Sequence, residues 1–391
     1  MRVALNAHFW GRETTGSGQY LRRLVAAFCT HHPDVEIALI GDVAAAERRR
    51  ETPISTGVTW QTALTPVDRR NRTRAKLWFE QVAFPRAARA AGCDLMHVPY
   101  FAPPLRRVAA LTRSTREQPV IVTVHDLIPL LLPEYRGRWL VRGYSRLVAR
   151  SSRQADLILA DSDASRQDVL RLLHVPSDRV RTVYLGVDAR YRPQPVKEIA
   201  RVRRKLSLPE RFVLYLGGFD VRKQVPMLLA AARRSQIAWP LVIAGRLPTA
   251  DTAFTPDPRR VAAELDVGER VHYAGWIDEN DKPALISAAA IFVFPSRYEG
   301  FGLPVLEALA CGTPTITTTA SSLPELAGDA ALMIAPDDVD GLAAAIDKLM
   351  RDEETRTRLA ERSPVQAARF TWERCAAETA AAYASLVESR P

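Results

Sequence analysis

Residues 292–312 read Phe292-Val293-Phe294-Pro295-Ser296-Arg297-Tyr298-Glu299-Gly300-Phe301-Gly302-Leu303-Pro304-Val305-Leu306-Glu307-Ala308-Leu309-Ala310-Cys311-Gly312. An apolar β-rich run ends at Pro295, and a loop with two glycines follows. A helix then starts near Pro304 and stops at Gly312, with proline early and glycine late, as helix ends prefer. A buried strand feeding a helix through a glycine loop is half of a βαβ unit, which implies a parallel sheet.

The same grammar repeats in both directions. Upstream lie apolar runs at 212–216, 241–244 and 271–274; Ile291–Phe294 is the run just quoted, and 315–317 and 331–334 follow. The first half offers another six, at 2–6, 36–40, 95–97, 120–125, 157–160 and 180–184. Six runs per half suit one doubly wound domain each. Between them Leu185-Gly186-Val187-Asp188 and Tyr191-Arg192-Pro193-Gln194-Pro195 form a proline-punctuated linker. The expected domains are 1–190 and 191–371, followed by a C-terminal helix within 372–391 that packs back on the N-terminal domain. Ligands of open α/β sheets bind outside the carboxyl ends of the strands, so the expected site is a cleft lined by the post-strand loops of both domains.

Composition narrows the function classes. The chain has 391 residues, with 25% charged and 47% hydrophobic residues, which excludes an intrinsically disordered chain. Its formal charge of +10 invites a nucleic-acid reading. Residues 1–190, however, carry a net +11 and residues 191–391 a net −1, so the excess belongs to the first half. No zinc finger, RNP motif or basic-zipper pattern accompanies it, and no nucleic-acid partner is expected. Cys29, Cys93, Cys311 and Cys375 are scattered without metal-ligand spacing and read as reduced thiols of a cytoplasmic protein. Met1–Asn6 reads as a first strand rather than a targeting segment. No stretch approaches the ~18 apolar residues of a membrane span.

Two loops of the second half carry chemistry. In Phe212-Val213-Leu214-Tyr215-Leu216-Gly217-Gly218-Phe219-Asp220-Val221-Arg222-Lys223, a strand runs into two glycines, an Arg-Lys pair and a helix start marked by Pro226. Glycines permit close backbone approach and two cations clamp a diphosphate; a tight turn with a solvated basic pair fits the same spacing. In the 292–312 stretch, Glu299 lies in the loop and Glu307 about one turn into the helix. Carboxylates accept hydrogen bonds from vicinal hydroxyls, so the two suit a sugar nucleotide. Two solvated glutamates are the alternative, weakened by the apolar Phe301, Leu303 and Leu306 around them.

The pattern Glu299-x7-Glu307 within this stretch resembles the signature of retaining GT-B glycosyltransferases of family GT4, mannosyltransferase-like members most. The resemblance runs in order through T-G-S-G-Q-Y at 15–20, V-H-D-L-I-P-L at 124–130, A-D-S-D-A-S at 160–165, L-G-V-D at 185–188, G-G-F-D-V-R-K-Q at 217–224 and S-S-L-P-E-L-A-G-D-A-A-L at 321–332. It implies a metal-independent hexosyltransferase of α/β class, with two Rossmann-like domains facing each other across a cleft.

It also implies roles. Glu299 faces the donor sugar and Glu307 binds the ribose hydroxyls. Arg222 and Lys223 neutralise the diphosphate, with Gly218 in the same loop. Phe301, Gly302 and Leu303 offer backbone N–H groups, and the loop of Trp276 and Ile277 lies against the base. Gly16 and Gly18 bring the other domain's backbone to the diphosphate, with Ser17 and Gln19 standing where the family often has an apolar and a basic residue. His125, at the end of an apolar strand, assists the reaction from beside the sugar; a satisfied structural imidazole is the usual alternative for a lone strand-end histidine. His8 and His97 lack motif support and read as structural. Asp161-Ser162-Asp163 and Asp338-Val339-Asp340 are D-x-D strings that precede helical runs and read as caps rather than as metal ligands.

No cofactor is expected beyond the nucleotide-sugar donor. The resemblance leans to GDP-mannose, with a UDP-hexose as alternative, and to a glycan or lipid-linked glycan acceptor in polysaccharide or glycoconjugate biosynthesis. A sugar-nucleotide epimerase of the same fold and a non-enzymatic basic binding protein are the readings from other classes. Arg138, Arg142, Arg146 and Arg150 recur every four residues beside Trp139, Leu140 and Tyr144, and Arg69-Arg70-Asn71-Arg72-Thr73-Arg74-Ala75-Lys76 precedes Leu77-Trp78-Phe79. Such faces suit peripheral contact with an anionic membrane, at the inner face of the cell membrane, and equally suit solvated helix surfaces.

Overall fold

The computed structural model describes residues 1–12, 15–52, 57–65, 72–104, 118–137 and 139–388. Arg69, Arg70, Asn71 and Arg138, and the side chains of Arg72, Trp139 and Leu140, lie outside the described residues. The chain forms two compact units, Met1–Gly186 with Thr371–Pro391, and Val187–Phe370. It thus passes between units at 186/187 and 370/371, where the sequence reading put 190/191 and 371/372.

The first unit is built on a seven-stranded parallel sheet: β1 (Arg2–Asn6), β2 (Glu36–Gly41), β3 (Val58–Thr62), β4 (Leu95–Val98), β5 (Val120–Val124), β6 (Leu157–Ala160) and β7 (Val180–Thr182). Their order in space is β3-β2-β1-β4-β5-β6-β7. The central strands are buried on both faces, as helix-covered parallel strands must be. β3 has no counterpart among the expected strands. It is an edge strand whose Thr59, Gln61 and Thr62 are exposed, so it lacks the apolar run that announces a buried one. The last helix, Trp372–Glu388, belongs to this unit and buries Cys375, Ala376, Thr379, Ala382 and Tyr383.

The second unit carries six parallel strands: β8 (Val213–Leu216), β9 (Leu241–Ala244), β10 (Val271–Gly275), β11 (Ile291–Phe294), β12 (Thr315–Thr318) and β13 (Ala331–Ile334). Their order is β10-β9-β8-β11-β12-β13. Strand order reverses between β1 and β4 in the first sheet and between β8 and β11 in the second. Loops diverging from such a switch point leave a crevice at the carboxyl edge. Among the described residues no helix is long and apolar enough to cross a membrane.

Candidate active site

At the second switch point the loops after β8 and β11 are tied together. The backbone N–H of Arg297 donates to the carbonyl of Arg222 at 2.8 Å, and Thr318 Oγ1 donates to the Ser296 carbonyl at 2.6 Å. Gly245, at φ +142°, brings the loop after β9 so close that an added Cβ would meet the Gly217 carbonyl oxygen at 2.1 Å. A side chain at that position would push the loops apart.

Within this frame Arg222 and Lys223 occupy a single 3-10 turn, Val221–Lys223. Gln224 follows in the left-handed region, at φ 53°, and precedes the helix Val225–Arg234. A glutamine held in that conformation is the kind of local strain that clusters at sites. Its side chain donates to Asp337. The two cations converge on one oxygen: Lys223 Nζ lies 2.6 Å and Arg222 Nη1 2.7 Å from Glu299 Oε1. Ser296 Oγ donates to the same oxygen at 2.6 Å. Ser322 Oγ fixes the loop itself, 3.0 Å from the Glu299 carbonyl and 2.7 Å from that of Phe301. Burial alone would raise the Glu299 carboxyl, but the Lys223 and Arg222 charges and the hydrogen bonds outweigh it and hold the group below the usual carboxylate range. Burial pulls the Lys223 ammonium down, opposed by Glu299. Lys223 also faces the Phe294 ring at 4.7 Å.

Glu307 does not join this cluster. It sits among Tyr191, Arg190, Lys282 and Glu279, and burial pushes its carboxyl up to about 7. Glu279 accepts from Arg190 at 3.3 Å and pairs with Lys282. The indole of Trp276 is 51% exposed, with Arg246 5.2 Å and Lys282 5.8 Å from its ring. Ile277 is buried. Phe301 is buried edge-on against Phe370. Gly302, at φ 108°, precedes the helix Leu303–Ala310 without a side-chain cap. Pro304 has no N–H, and Val305 and Leu306 donate to the Gly302 carbonyl at 2.9 and 3.2 Å, which leaves the Leu303 N–H of that first turn to an anion. Gly218 has only Asp220 near the position of an added Cβ.

In the first unit His125 follows β5. Its Nδ1 lies 2.7 Å from Asp161 Oδ2 and its Nε2 3.1 Å from the Pro99 carbonyl, with the Tyr20 ring edge-on at 4.9 Å. The cap expected of the Asp161-Ser162-Asp163 string is made by its serine. Ser162 Oγ caps the helix Asp163–Leu173, Asp163 accepts from Tyr184 and Thr182, and Asp161 belongs to His125. Asp338 caps its helix through the N–H of Gly341 at 2.8 Å.

The two glycines of the first loop also part company. Gly16 has open space where a Cβ would stand. At Gly18 a Cβ would meet the carbonyl oxygen of Arg12 at 2.1 Å, and its N–H is already donated to the Thr15 cap. Gly18 is thus fixed by packing within its own loop, and Gly16 is the position left open to a close approach.

Other groups carried no motif. His8, after β1, bonds Asp42 at 2.8 Å. Glu80, in a π-helical turn Phe79–Ala83, is buried between Lys76 at 3.5 Å and Tyr144 at 3.2 Å. Lys76 in turn faces the rings of Phe9, Tyr100 and Tyr144. Asp161 and Ser296 were legible only as parts of motifs, and nothing in their spacing tells which side chain they meet.

The family model of Glycosyltransferase Family 4 matches residues 14–191, and that of Glycosyl transferases group 1 matches residues 196–366. An O-antigen chain mannosyltransferase B of Escherichia coli is 35% identical over 276 residues, covering 69% of this chain and 71% of that protein. The chain belongs to glycosyltransferase family 4. This glycosyltransferase is also similar to a serotype-specific mannosyltransferase WbdA of Escherichia coli, 29% identical over 283 residues. That match covers 69% of the chain but 34% of WbdA, so the chain spans about a third of that relative. The sucrose-phosphate synthase structure from Thermosynechococcus elongatus superposes with a TM-score of 0.77 at 23% identity, covering 100% of both chains. The fold of the glycosyltransferase is GT-B.

Proposed function

We propose that this glycosyltransferase moves mannose from GDP-mannose, with retention, to a glycan or lipid-linked glycan acceptor in the cytoplasm. The observation that carries the donor half is the convergence of Lys223, Arg222 and Ser296 on one oxygen of Glu299 at a switch point. A carboxylate held ionised between two cations is poised to exchange partners. The cations turn to the donor diphosphate, and the carboxylate accepts from the sugar hydroxyls beside the reacting carbon. The mannosyl choice is supported by the likeness to the O-antigen mannosyltransferase.

In this reading the C1–O bond to the diphosphate breaks as the acceptor oxygen bonds C1 on the same face. The acceptor's proton passes to the leaving phosphate. Arg222, Lys223 and the N–H of Leu303 stabilise the negative charge that develops, the kind of electrostatic work that dominates many active sites. Gly218 leaves room for the phosphates, Gly302 offers its backbone N–H, Glu307 accepts from the ribose, and Trp276 with the Ile277 backbone lies against the base. Gly16 lets backbone approach the diphosphate, and His125 assists beside the sugar.

The reading is tested by incubating the enzyme with radiolabelled GDP-mannose, UDP-glucose or UDP-galactose and an α-mannan oligosaccharide. Label transfer from GDP-mannose with an α-linked product is expected. Transfer from a UDP sugar alone overturns the donor assignment.

Membrane contact rests on the helix Trp139–Ser152, where Arg142, Arg146 and Arg150 are exposed and Val141 is 46% exposed. Flotation with phosphatidylglycerol vesicles but not with phosphatidylcholine vesicles is the expected outcome, and equal behaviour with both overturns it.

A further inference from the structure

Both ring nitrogens of His125 face groups that only accept. Asp161 offers a carboxylate to Nδ1 at 2.7 Å, and Pro99 offers a backbone carbonyl to Nε2 at 3.1 Å. A neutral imidazole has one N–H and satisfies one such partner; an imidazolium satisfies both. Asp161 is 2% exposed, and its other oxygen has no hydrogen-bond partner. Its buried charge is therefore offset by His125.

We propose that Asp161 is a positioning residue that, with the Pro99 carbonyl, holds His125 as a fixed imidazolium, so that His125 serves as a cation and hydrogen-bond donor and not as a proton acceptor. This rests on the placement of His125 in the active site proposed above. The Asp161 bond is enclosed, whereas the longer Nε2 contact to Pro99 is the one a donor hydroxyl or phosphate oxygen can replace. No proton changes hands in that exchange.

The surroundings are consistent with a held cation. Burial works against the charged ring, but Asp161, Asp126 and the Pro99 carbonyl outweigh it, so the imidazole is shifted above its ordinary range. The neighbouring His97, buried beneath on β4, is pushed by burial down to about 3 and stays neutral, its two nitrogens facing the hydroxyls of Tyr383 at 2.6 Å and Thr123 at 2.8 Å. It therefore does not compete as a second positive charge. On the helix Gly16–His31, Tyr20 presents a ring edge, and burial raises its phenol well above its usual value, so it stays neutral. Cys375, whose charge couples to Asp161 from the last helix, has its thiol raised by burial and is neutral as well. Ser165 Oγ donates to the His125 carbonyl at 3.2 Å and fixes the backbone that carries the ring.

The experiment is a histidine NMR titration of the full chain labelled with 15N in its imidazoles, with His125→Gln used to assign the resonance. The wild-type ring is expected to show both nitrogens protonated at pH 7. Asp161→Asn is expected to make it neutral at that pH and to lower kcat about tenfold or more, with the KM for the donor little changed. The activity–pH profile should lose its decline on the alkaline side, which a merely structural role of Asp161 would not move. A wild-type His125 that is neutral at pH 7 overturns the inference, and this measurement needs no variant to fold beyond the assignment control. Normal transfer by His125→Gln would instead remove His125 from the proposed site while leaving its charge state measured.

Discussion

Lys223 Nζ and Glu299 Oε1 lie 2.6 Å apart although 76 residues separate them in the chain. The pair joins the loop after β8 to the loop after β11 across the switch point of the second sheet. Arg222 reaches the same oxygen from 2.7 Å, so one carboxylate balances two cations in a largely enclosed place.

Glu299→Ala leaves both cations without that partner. The cost is roughly 3 kcal/mol, at the low end for a broken buried pair, because Arg222 keeps Asp220 at 3.2 Å. Transfer should fall by about two orders of magnitude or more, while GDP still binds, since the phosphate-facing charges remain. Calorimetric titration with GDP beside a label-transfer assay checks both halves. Loss of GDP binding together with transfer would contradict the division of labour.

Glu307 gives a pH signature. Its carboxyl stands at about 7 in the folded protein against an ordinary 4.5. The folded state therefore holds this proton more tightly than the unfolded chain. The associated stability is fully present below pH ~4.5 and is lost as pH rises through ~7, a swing on the order of 3 kcal/mol. Denaturation midpoints measured from pH 4.5 to 8 should decline less steeply in Glu307→Gln. The same variant should weaken nucleoside diphosphate binding by about tenfold, the loss of a charged hydrogen bond to the ribose.

The two glycines of the first loop should separate packing from ligand approach. Gly18→Ala drives a Cβ into the Arg12 carbonyl and should destabilise the first unit by about 2 kcal/mol or more. Gly16→Ala meets open space and should leave the thermal midpoint within a degree or two, helix propensity favouring alanine. A fall in transfer with Gly16→Ala at unchanged stability would then report crowding of the donor.

Tyr383 ties the last helix to the first sheet, stacked on Phe28 at 5.6 Å and bonded to His97 at 2.6 Å. Tyr383→Phe leaves a buried ring nitrogen without its partner and should cost about 1–3 kcal/mol. Tyr383→Ala adds a cavity and should cost about 3–5 kcal/mol. Urea denaturation followed by tryptophan fluorescence reads the difference, and equal midpoints for the three proteins would show that the helix is not integral to the unit.

The buried strands were legible because parallel strands covered on both faces must be short apolar runs, and those of β1, β6, β9 and β11 match the expected bounds. β3 was not, because an edge strand bearing Thr59, Gln61 and Thr62 toward solvent has no such run. Arg222, Lys223 and Glu299 were legible as loop residues near strand ends, but their convergence on one oxygen was not. The D-S-D string was legible as a cap, which Ser162 makes, but only the proximity of β5 to β6 gives Asp161 to His125.

By itself, then, the sequence determined the α/β class, the two-domain plan and the loops where chemistry belongs, since periodicity and glycine or proline placement are local consequences of strand and helix geometry. Tertiary structure alone decided the pairings. Lys223 with Glu299, His125 with Asp161 and His97 with Tyr383 each join residues distant in sequence through strand order and burial. Their charge states follow from what burial removes and what the partner returns, and neither is written in the spacing of residues along the chain.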